Sequence, residues 1–225
     1  MQGTLVNSGA IIAGSIVGVA VGRRLPDRIR SIIMQALGLA VLVIGMELAL
    51  TGEKLVATVG CVIIGAITGE LLQIEKGIER LGTWLKKISK ADSTNFVEGF
   101  AVSSVLYLTG VMVIIGPIQD GTVGDASLLY IKSYLDGFAS IALASSLGIG
   151  VAFSALPVLL VQGSLTLLAS SLSFLAEPHI LNAIVSTGGV LILGIGINLL
   201  GIKKIPVGNF IPAIFYAMLW GMVGY

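Results

Sequence analysis

Two charged residues of opposite sign, Lys132 and Asp136, stand four positions apart inside a largely apolar stretch of this chain. At that spacing the two side chains share one face of a helix and can form an ion pair. An ionisable side chain in the hydrocarbon core of a bilayer costs at least about 2.5–3.5 kcal/mol, so it usually faces a cavity, a partner or a transport pathway. The pair is therefore a candidate site for a charged solute, with a structural ion pair as the alternative.

Other polar side chains within or beside the apolar runs complete this hypothesis. We predict that Lys132 pairs with a substrate carboxylate, while Asp136 and Asp120 carry a coupling proton or sodium ion. Amide side chains are predicted to supply hydrogen bonds to the substrate: Gln119, Gln162, Asn7 and Asn198. Two alternatives stay open. Asn7 and Asn198 can equally tie helices together, and Asp120 can be an ordinary acid of an outer loop.

The motif Gly116-Pro117-Ile118-Gln119-Asp120-Gly121 predicts a break at the outer end of a membrane helix. Proline cannot continue the backbone hydrogen-bond ladder of a helix. Carbonyl and amide groups freed at such a break can line a solute site. Pro157, followed by Gln162-Gly163, predicts a similar feature near the inner end of a later helix.

The composition places these polar residues in a membrane. Of the 225 residues 56% are hydrophobic and only 11% charged, whereas a soluble domain carries about 25% charged residues. A net charge of +1 provides no basic field for phosphates, which excludes nucleic acid as a partner. One cysteine and one histidine are too few ligands for a zinc site, and no nucleophile–base pair or phosphate-binding motif is present. We therefore expect no enzymatic activity, no cofactor and no metal.

The apolar runs predict an all-α polytopic membrane protein. Each crossing needs about 20 mostly apolar residues in a helix, and about eight stretches qualify, of which the one with Lys132 and Asp136 is the least apolar. With eight spans and both termini outside, eleven of the 13 basic residues lie on the inner side, as the positive-inside rule requires. Seven spans would move Lys203 and Lys204 outside. The predicted spans are 4–22, 31–50, 55–73, 96–116, 127–152, 156–175, 180–200 and 207–224.

We predict a single membrane domain over residues 1–225. Its parts are helices 1–3 (1–73), a cytoplasmic amphipathic segment (74–92), central helices 4–5 (96–152) with a polar break at 116–125, and helices 6–8 (156–225). The amphipathic segment has apolar residues at helical spacing and a charged opposite face, which predicts a helix in the membrane interface. A surface that recruits a protein partner is the alternative.

The beginning and the end of the chain resemble each other at an offset of 151 residues. Residues 38–47 (GLAVLVIGME) align with residues 189–198 (GVLILGIGIN). This shift equals five predicted spans, an odd number, so the two copies run in opposite directions across the membrane. Inverted repeats of this kind are typical of secondary transporters. We therefore predict an inverted repeat of helices 1–3 and helices 6–8.

Glycines, 30 in total, form ladders at four-residue spacing. One ladder comprises Gly14, Gly18 and Gly22, and a shorter one Gly65 and Gly69. Small residues at this spacing let helix backbones approach closely in lipid. Packing within one subunit is the favoured interpretation, and a homo-oligomer is the alternative.

Several of these motifs together resemble those of a bacterial family, the YqgA/YdfK-like inner-membrane proteins. The resemblance extends over essentially the whole chain and is most specific over 116–163. It implies a multi-pass protein of a bacterial inner membrane, with no activity assigned. The chain departs from the family pattern at Gly110-Val111, where a Gly-Pro pair is expected, and this departure argues against a helix break there. The motifs that carry the resemblance are Gly3-Thr4-Leu5-Val6-Asn7, the GPIQDG motif at 116–121, KSYLDGFASI at 132–141, FSALP at 153–157 and Gln162-Gly163.

The sequence therefore favours a secondary transporter of a small polar solute, anionic or zwitterionic, with ion coupling. Its site is expected near the bilayer midplane, beside the central helix breaks. The expected partners are the lipid bilayer and a small-molecule or ion substrate. Two alternatives stay open: an ion or solute channel, and a non-transporting membrane scaffold that recruits a partner through the segment 74–92.

Overall fold

The computed structural model describes residues 1–52, 54–89 and 95–223, and leaves out the side chains of Asp27 and Arg30. Every regular element in these ranges is a helix, which confirms the predicted all-α class for the described part of the chain. Short 3₁₀ helices lie between some of the α-helices, at Ile149–Ser154, Ser173–Ala176 and Val207–Phe210. The α-helices are α1 (Gln2–Gly22), α2 (Asp27–Ala49), α3 (Leu55–Leu72), α4 (Ile74–Ser89), α5 (Phe96–Tyr107), α6 (Met112–Thr122), α7 (Ser127–Leu147), α8 (Ala155–Leu167), α9 (Ala169–Leu172), α10 (Pro178–Leu199) and α11 (Pro212–Val223).

Several of these helices are suited to cross a membrane. Five described segments are long and apolar enough, and the pair α5–α6, which is bent by 63°, makes a sixth if it forms one broken span. The helix α7 has sufficient length, but Lys132 and Asp136 lower its hydropathy, and the apolar segment Val207–Val223 is shorter than the others. The five segments are Gln2–Gly22, Ser31–Ala49, Leu55–Leu72, Ile149–Leu167 and Pro178–Leu199.

The break in the fourth predicted span lies earlier than the sequence suggested. The helix α6 continues through Pro117, so the predicted break at Gly116-Pro117 is wrong. The chain instead turns between α5 and α6, where Gly110 adopts a φ of +115° that glycine tolerates because it has no Cβ. Gly110 therefore breaks the span although no proline follows it. The expectation that Gly110-Val111 argues against a helix break there is also wrong. Pro117 removes one backbone donor from α6 without ending the helix.

The sequence also predicted a helix break beside Pro157, and the structure has an irregular stretch just before this residue. Gly148, with a φ of +82°, ends α7. A 3₁₀ helix, Ile149–Ser154, then leads into α8, in which Pro157 is the third residue. Proline is tolerated in the first turn of a helix because its missing N–H would have no partner there. The chain is thus irregular before Pro157 and regular after it.

The helix α4 covers most of the predicted amphipathic segment 74–92. Residues 90–92, including the predicted inner-side Lys90, lie outside the described residues, as do 224–225 at the end of the last predicted helix. Gln73, with a φ of +54°, separates α4 from α3. Leu85 of α4 is buried, whereas Trp84 and Ile88 are exposed.

The chain divides into two compact units. The first consists of Met1–Ala36, Glu79–Leu108 and Met112–Leu172, and the second of Leu37–Ile78, Thr109–Val111 and Ser173–Tyr225. The first unit thus contains α1 and α5–α9, and the second contains α3, α10 and α11. The helices α2 and α4 each begin in one unit and end in the other.

In the first unit, the glycine ladder of α1 packs directly on the backbone of α7. A Cβ atom on Gly14, Gly18 or Gly22 would overlap the carbonyl oxygens of Gly137, Ile141 and Ser145, respectively. Each step of four residues along α1 matches a step of four along α7, so the two helices run parallel. The ladder therefore supports packing within the chain, as the favoured interpretation predicted.

We expect the substitution Gly18→Leu to destabilise the protein strongly. Overpacking of this kind costs about 3 kcal/mol, which lowers the Tm of a chain of this size by about 6–12 °C. The matched control is Gly9→Leu on the same helix, because a Cβ at Gly9 meets no atom within 4 Å. Thermal unfolding of both variants in detergent measures the difference. An unchanged Tm for Gly18→Leu would contradict the packing of α1 on α7.

Candidate functional site

Four of the predicted site residues meet in the first unit and form what we call the polar cluster: Asn7, Lys132, Asp136 and Gln162. The ammonium nitrogen of Lys132 lies 3.0 Å from Oδ1 and 2.8 Å from Oδ2 of Asp136. The Nδ2 atom of Asn7 donates to Oδ2 of Asp136 at 3.0 Å and to Oε1 of Gln162 at 3.2 Å. The cluster therefore joins α1, α7 and α8 through one continuous set of hydrogen bonds.

The surrounding helices explain how these side chains meet. Asn7 lies two turns before Gly14, on the face of α1 that the glycine ladder presses against α7. Close backbone contact between α1 and α7 leaves short distances that an asparagine can span. On the other side, Thr4 Oγ1 lies 3.4 Å from Thr166 Oγ1, so α8 runs antiparallel to α1 and brings Gln162 to Asn7. Local glycine packing thus positions the polar residues.

The polar cluster is almost fully removed from solvent. The side chains of Lys132 and Asp136 are 7% and 9% exposed, and Asn7 and Gln162 are completely buried. Burying two opposite charges is tolerated only when they pair closely and their remaining hydrogen-bonding positions are filled. The double contact between Lys132 and Asp136 and the bond from Asn7 meet most of this requirement.

Two atoms of the polar cluster nevertheless have no hydrogen-bond partner in the structure: the acceptor Oδ1 of Asn7 and the donor Nε2 of Gln162. Exchanging oxygen and nitrogen in the Asn7 amide would place an oxygen against the Asp136 carboxylate, and exchanging them in Gln162 would place two NH₂ groups together. The amide orientations are thus fixed by the network. A buried polar atom without a partner costs about 1–3 kcal/mol, so the cluster offers an open donor and an open acceptor to a ligand.

A tyrosine that the sequence reasoning missed extends the polar region toward the helix break. Tyr107, the last residue of α5, is 1% exposed, and its hydroxyl lies 2.7 Å from Oγ of Ser140. Ser140 lies one helical turn after Asp136 on the same face of α7. The sequence offers no signal for this role, because Tyr107 stands among other polar residues of the same span and only its burial and its contact with Ser140 distinguish it.

The other predicted site residues are not members of the polar cluster. Gln119 is half-buried on α6, and the carboxylate of Asp120 binds the α-amino group of Met1 at 2.7 Å. Asn198 belongs to the second unit, where its side chain binds both the N–H and the carbonyl of Ile205, at 2.7 and 2.8 Å. Their roles toward a solute stay predictions.

The polar cluster contains one cation, one anion, one donor without a partner and one acceptor without a partner. Within the described residues, no group of three or more histidine, cysteine, aspartate or glutamate side chains is arranged to hold a metal ion.

Comparison with known proteins places the chain in a family. The model of the family described as "Protein of unknown function (DUF554)" matches residues 2–222. "Uncharacterized protein YqgA" of Escherichia coli (strain K12) is 33% identical over 96% of this chain and 94% of its own length. "Uncharacterized membrane protein YdfK" of Bacillus subtilis (strain 168) is 32% identical over 95% of this chain and 93% of its own length. No solved structure matches the chain. Because the match extends over nearly its whole length, the chain belongs to the DUF554 family.

Proposed function

We propose that this protein is a secondary transporter that binds a small polar solute at the polar cluster. The observation that carries the proposal is a buried Lys132–Asp136 pair beside an unpartnered donor, Gln162 Nε2, and an unpartnered acceptor, Asn7 Oδ1. Ionisable residues inside membrane helices usually serve a substrate or ion pathway. The cluster also lies on helices that adjoin a broken span, a feature of transporter binding sites.

The solute that fits this arrangement best is a zwitterion. Its carboxylate would bind Lys132 and the open Nε2 of Gln162, and its ammonium group would bind Asp136 and the open Oδ1 of Asn7. A simple anion would bind only Lys132 and Gln162 Nε2, and Asp136 would then have no cation beside it. We therefore place zwitterions such as amino acids ahead of plain anions in the solute class.

This arrangement suggests how an empty carrier can reorient. Without solute, Lys132 and Asp136 neutralise each other, so no uncompensated charge remains in the membrane. Solute binding replaces this ion pair by two others. One joins Lys132 to the solute carboxylate, and the other joins Asp136 to the solute ammonium group. Protonation of Asp136 would release Lys132 in the same way, which gives a route for proton coupling. A channel is less consistent with a cluster that is closed by its own hydrogen bonds and removed from solvent.

Helix packing supports the proposed topology of eight spans with both termini outside. In that topology α1 and α7 are spans 1 and 5 and cross in the same direction, consistent with their parallel packing in the first unit. The helices α3 and α11 are spans 3 and 8 and cross in opposite directions. In the second unit, Gly65 lies against Ala213 and Gly69 against Asn209, which is antiparallel packing.

The packing of α2 on α10 in the second unit supports the proposed inverted repeat. A Cβ on Gly45 would lie 2.8 Å from the backbone of Leu193, and a Cβ on Gly196 would lie 2.7 Å from Leu42. Adding 151 to residue 42 gives 193, and adding 151 to residue 45 gives 196. The two contacts therefore exchange under the sequence offset, and each places a glycine of one helix against a leucine of the other, so the residue types repeat as well as the positions. Gly38 with Leu200 and Ala49 with Gly189 form a second pair of this kind.

Labelling with an impermeant maleimide tests the topology. In a Cys61→Ser background, we expect Val123→Cys, in the link between α6 and α7, to react from outside in intact cells. Ile202→Cys, in the link after α10, should react only after the membrane is permeabilised. Both positions are well exposed, at 76% and 70%, so access depends on the side of the membrane. Labelling of Ile202→Cys in intact cells would indicate seven spans instead.

The transport proposal is tested first by ligand-dependent stability. Purified protein is heated in detergent with amino acids, other zwitterions and carboxylates at about 100 times the expected Kd, which raises the stability by about 2.7 kcal/mol when the ligand binds only the folded protein. We expect stabilisation by a zwitterion, and loss of that stabilisation in Gln162→Met. Stabilisation that is the same in both proteins would place the solute elsewhere.

A further inference from the structure

The second unit contains a cavity that shares no residue with the polar cluster. It opens between the first turns of α3 and α10 and the last turns of α11, and its empty space, including the part open to solvent, is about 320 Å³. Trp220 of α11 stands at its edge. Its polar lining comes from Lys54, Thr58, His179, Asn182, Ser186 and Thr187. We propose that this cavity, which we call the outer cavity, binds a small anion.

Thr187 is the first observation that points to a ligand. Its side chain is completely buried, and its hydroxyl has no hydrogen-bond partner although it lines the outer cavity. A threonine inside a helix usually satisfies its hydroxyl with a carbonyl one turn earlier. A buried hydroxyl that lacks this bond is unfavourable unless another group supplies a partner. A ligand in the outer cavity would do so.

Neighbouring hydroxyls show that the cavity is suited to several hydrogen bonds at once. Thr58 Oγ1 and Ser186 Oγ lie 3.1 Å apart on facing helices, α3 and α10. Thr187 also lines the cavity, and Asn182 adds an amide. Hydroxyl and amide groups can all donate to an anion.

The lining of the outer cavity favours an anion over a cation, because it includes Lys54 and the imidazole of His179, and both residues lie at helix N-termini. Lys54 directly precedes α3, and His179 is the second residue of α10. Helix N-termini carry partial positive charge and bind anions readily. Glu177, which lies 3.3 Å from the His179 imidazole, is exposed and is not part of the lining.

The part of α10 that carries Thr187 adjoins the backbone break of the fourth predicted span. Gly188, the residue after Thr187, lies against Thr109, because a Cβ atom there would come 2.5 Å from Thr109 Cγ2. Thr109 is the first residue of the segment Thr109–Val111 that the second unit contains. The residue that follows Thr187 therefore contacts the stretch in which the helix is interrupted.

This inference does not rest on the proposed solute site, because the two sites share no residue and belong to different units. Either one can fail while the other stands. The outer cavity predicts equilibrium binding of an anion to the purified protein, which is measured without any transport assay.

Fluorescence titration tests the proposal. The chain has two tryptophans, so a Trp84→Phe background leaves Trp220 at the outer cavity as the single reporter. Sodium chloride, acetate and phosphate are titrated at constant ionic strength against sodium gluconate. We expect a saturable signal with at least one of the three anions. Thr187→Val should raise its Kd about tenfold, as expected for a lost hydrogen bond to a charged group, whereas Thr187→Ser should stay within about threefold.

The matched control is Thr68→Val, which removes a hydroxyl from α3 that binds Tyr216 rather than lining the outer cavity. Its Kd should equal that of the parent protein. At about 100 mM anion, a site with a millimolar Kd would be filled. If no saturable signal appears up to that concentration, the proposal is overturned and water is left as the occupant. An unchanged Kd in Thr187→Val would also overturn it.

Discussion

We expect the substitution Lys132→Met to abolish the proposed solute exchange and to lower the free energy of unfolding by about 3–5 kcal/mol, because it leaves the buried Asp136 carboxylate without its cation. Lys132 Nζ contacts both carboxylate oxygens at 2.8 and 3.0 Å, so its removal takes away both of these charge-assisted contacts at once. Uptake into proteoliposomes measures the loss of exchange, and thermal unfolding in detergent measures the loss of stability.

The paired substitution Lys132→Met with Asp136→Asn separates stability from function. Removing both charges avoids the isolated carboxylate, and replacing a buried ion pair by neutral groups is often neutral or stabilising. The amide that replaces the Asp136 carboxylate keeps a side-chain oxygen, which can still accept from Asn7 Nδ2. We expect unfolding within about 1 kcal/mol of the parent but no exchange. Full exchange by this variant would show that the ion pair is only structural.

We expect the substitution Gln162→Met to have a small effect on stability and a large effect on solute affinity. It removes the bond from Asn7 Nδ2 at 3.2 Å, but it also removes the buried Nε2 donor that has no partner. The lost hydrogen bond destabilises the empty protein by about 1 kcal/mol. The removal of the unpartnered donor stabilises it by about as much, so the two effects nearly cancel. In the loaded protein, the lost bond to a charged carboxylate is worth about 1.5–3 kcal/mol, or roughly a 10- to 150-fold rise in Kd.

The control for this prediction is Ser164→Ala, which lies on α8 and whose exposed hydroxyl binds only the carbonyl of Val161. Both stability and solute affinity should stay at the parent level. If Gln162→Met binds the zwitterion as tightly as the parent, Nε2 does not contact the solute and the assignment of the site to the polar cluster is wrong.

The parts of the fold that could be predicted from sequence are those with a local periodic signal. The four-residue glycine ladder predicted close packing within the chain, and the structure uses Gly14, Gly18 and Gly22 in this way. The four-residue spacing of Lys132 and Asp136 likewise predicted an ion pair on one helix face, which forms. Both signals depend only on helix geometry and do not require knowledge of which helices are neighbours.

The position of the helix break was not predictable from the strongest local signal. Proline is the stronger helix-breaking signal in a sequence, yet α6 accommodates Pro117 and the chain turns at Gly110. A proline removes one hydrogen bond, whereas a residue with positive φ redirects the whole backbone. Whether a glycine adopts that conformation depends on tertiary packing, which a single sequence does not contain.

The composition of the candidate site was only partly predictable for the same reason. Asn7 and Gln162 were recognised as polar residues in apolar runs, but their contact joins positions 155 residues apart. Asn198 gave the same signal and instead fixes the loop at Ile205. The hydroxyls of Tyr107 and Thr187 were missed because tyrosine and threonine are common in membrane helices, and only their burial and partners distinguish them.

Exchange of a radiolabelled zwitterion across proteoliposomes tests the central claim most directly. Vesicles that contain the protein are loaded with the zwitterion that gives the largest rise in Tm, and they are then diluted into a trace of its labelled form. We predict transient accumulation of label in vesicles with the parent protein or Ser164→Ala, and none with the paired Lys132→Met and Asp136→Asn variant, although that variant is folded. Equal accumulation with the paired variant, or none with the parent protein in the presence of a bound solute, would contradict a carrier whose site is the polar cluster.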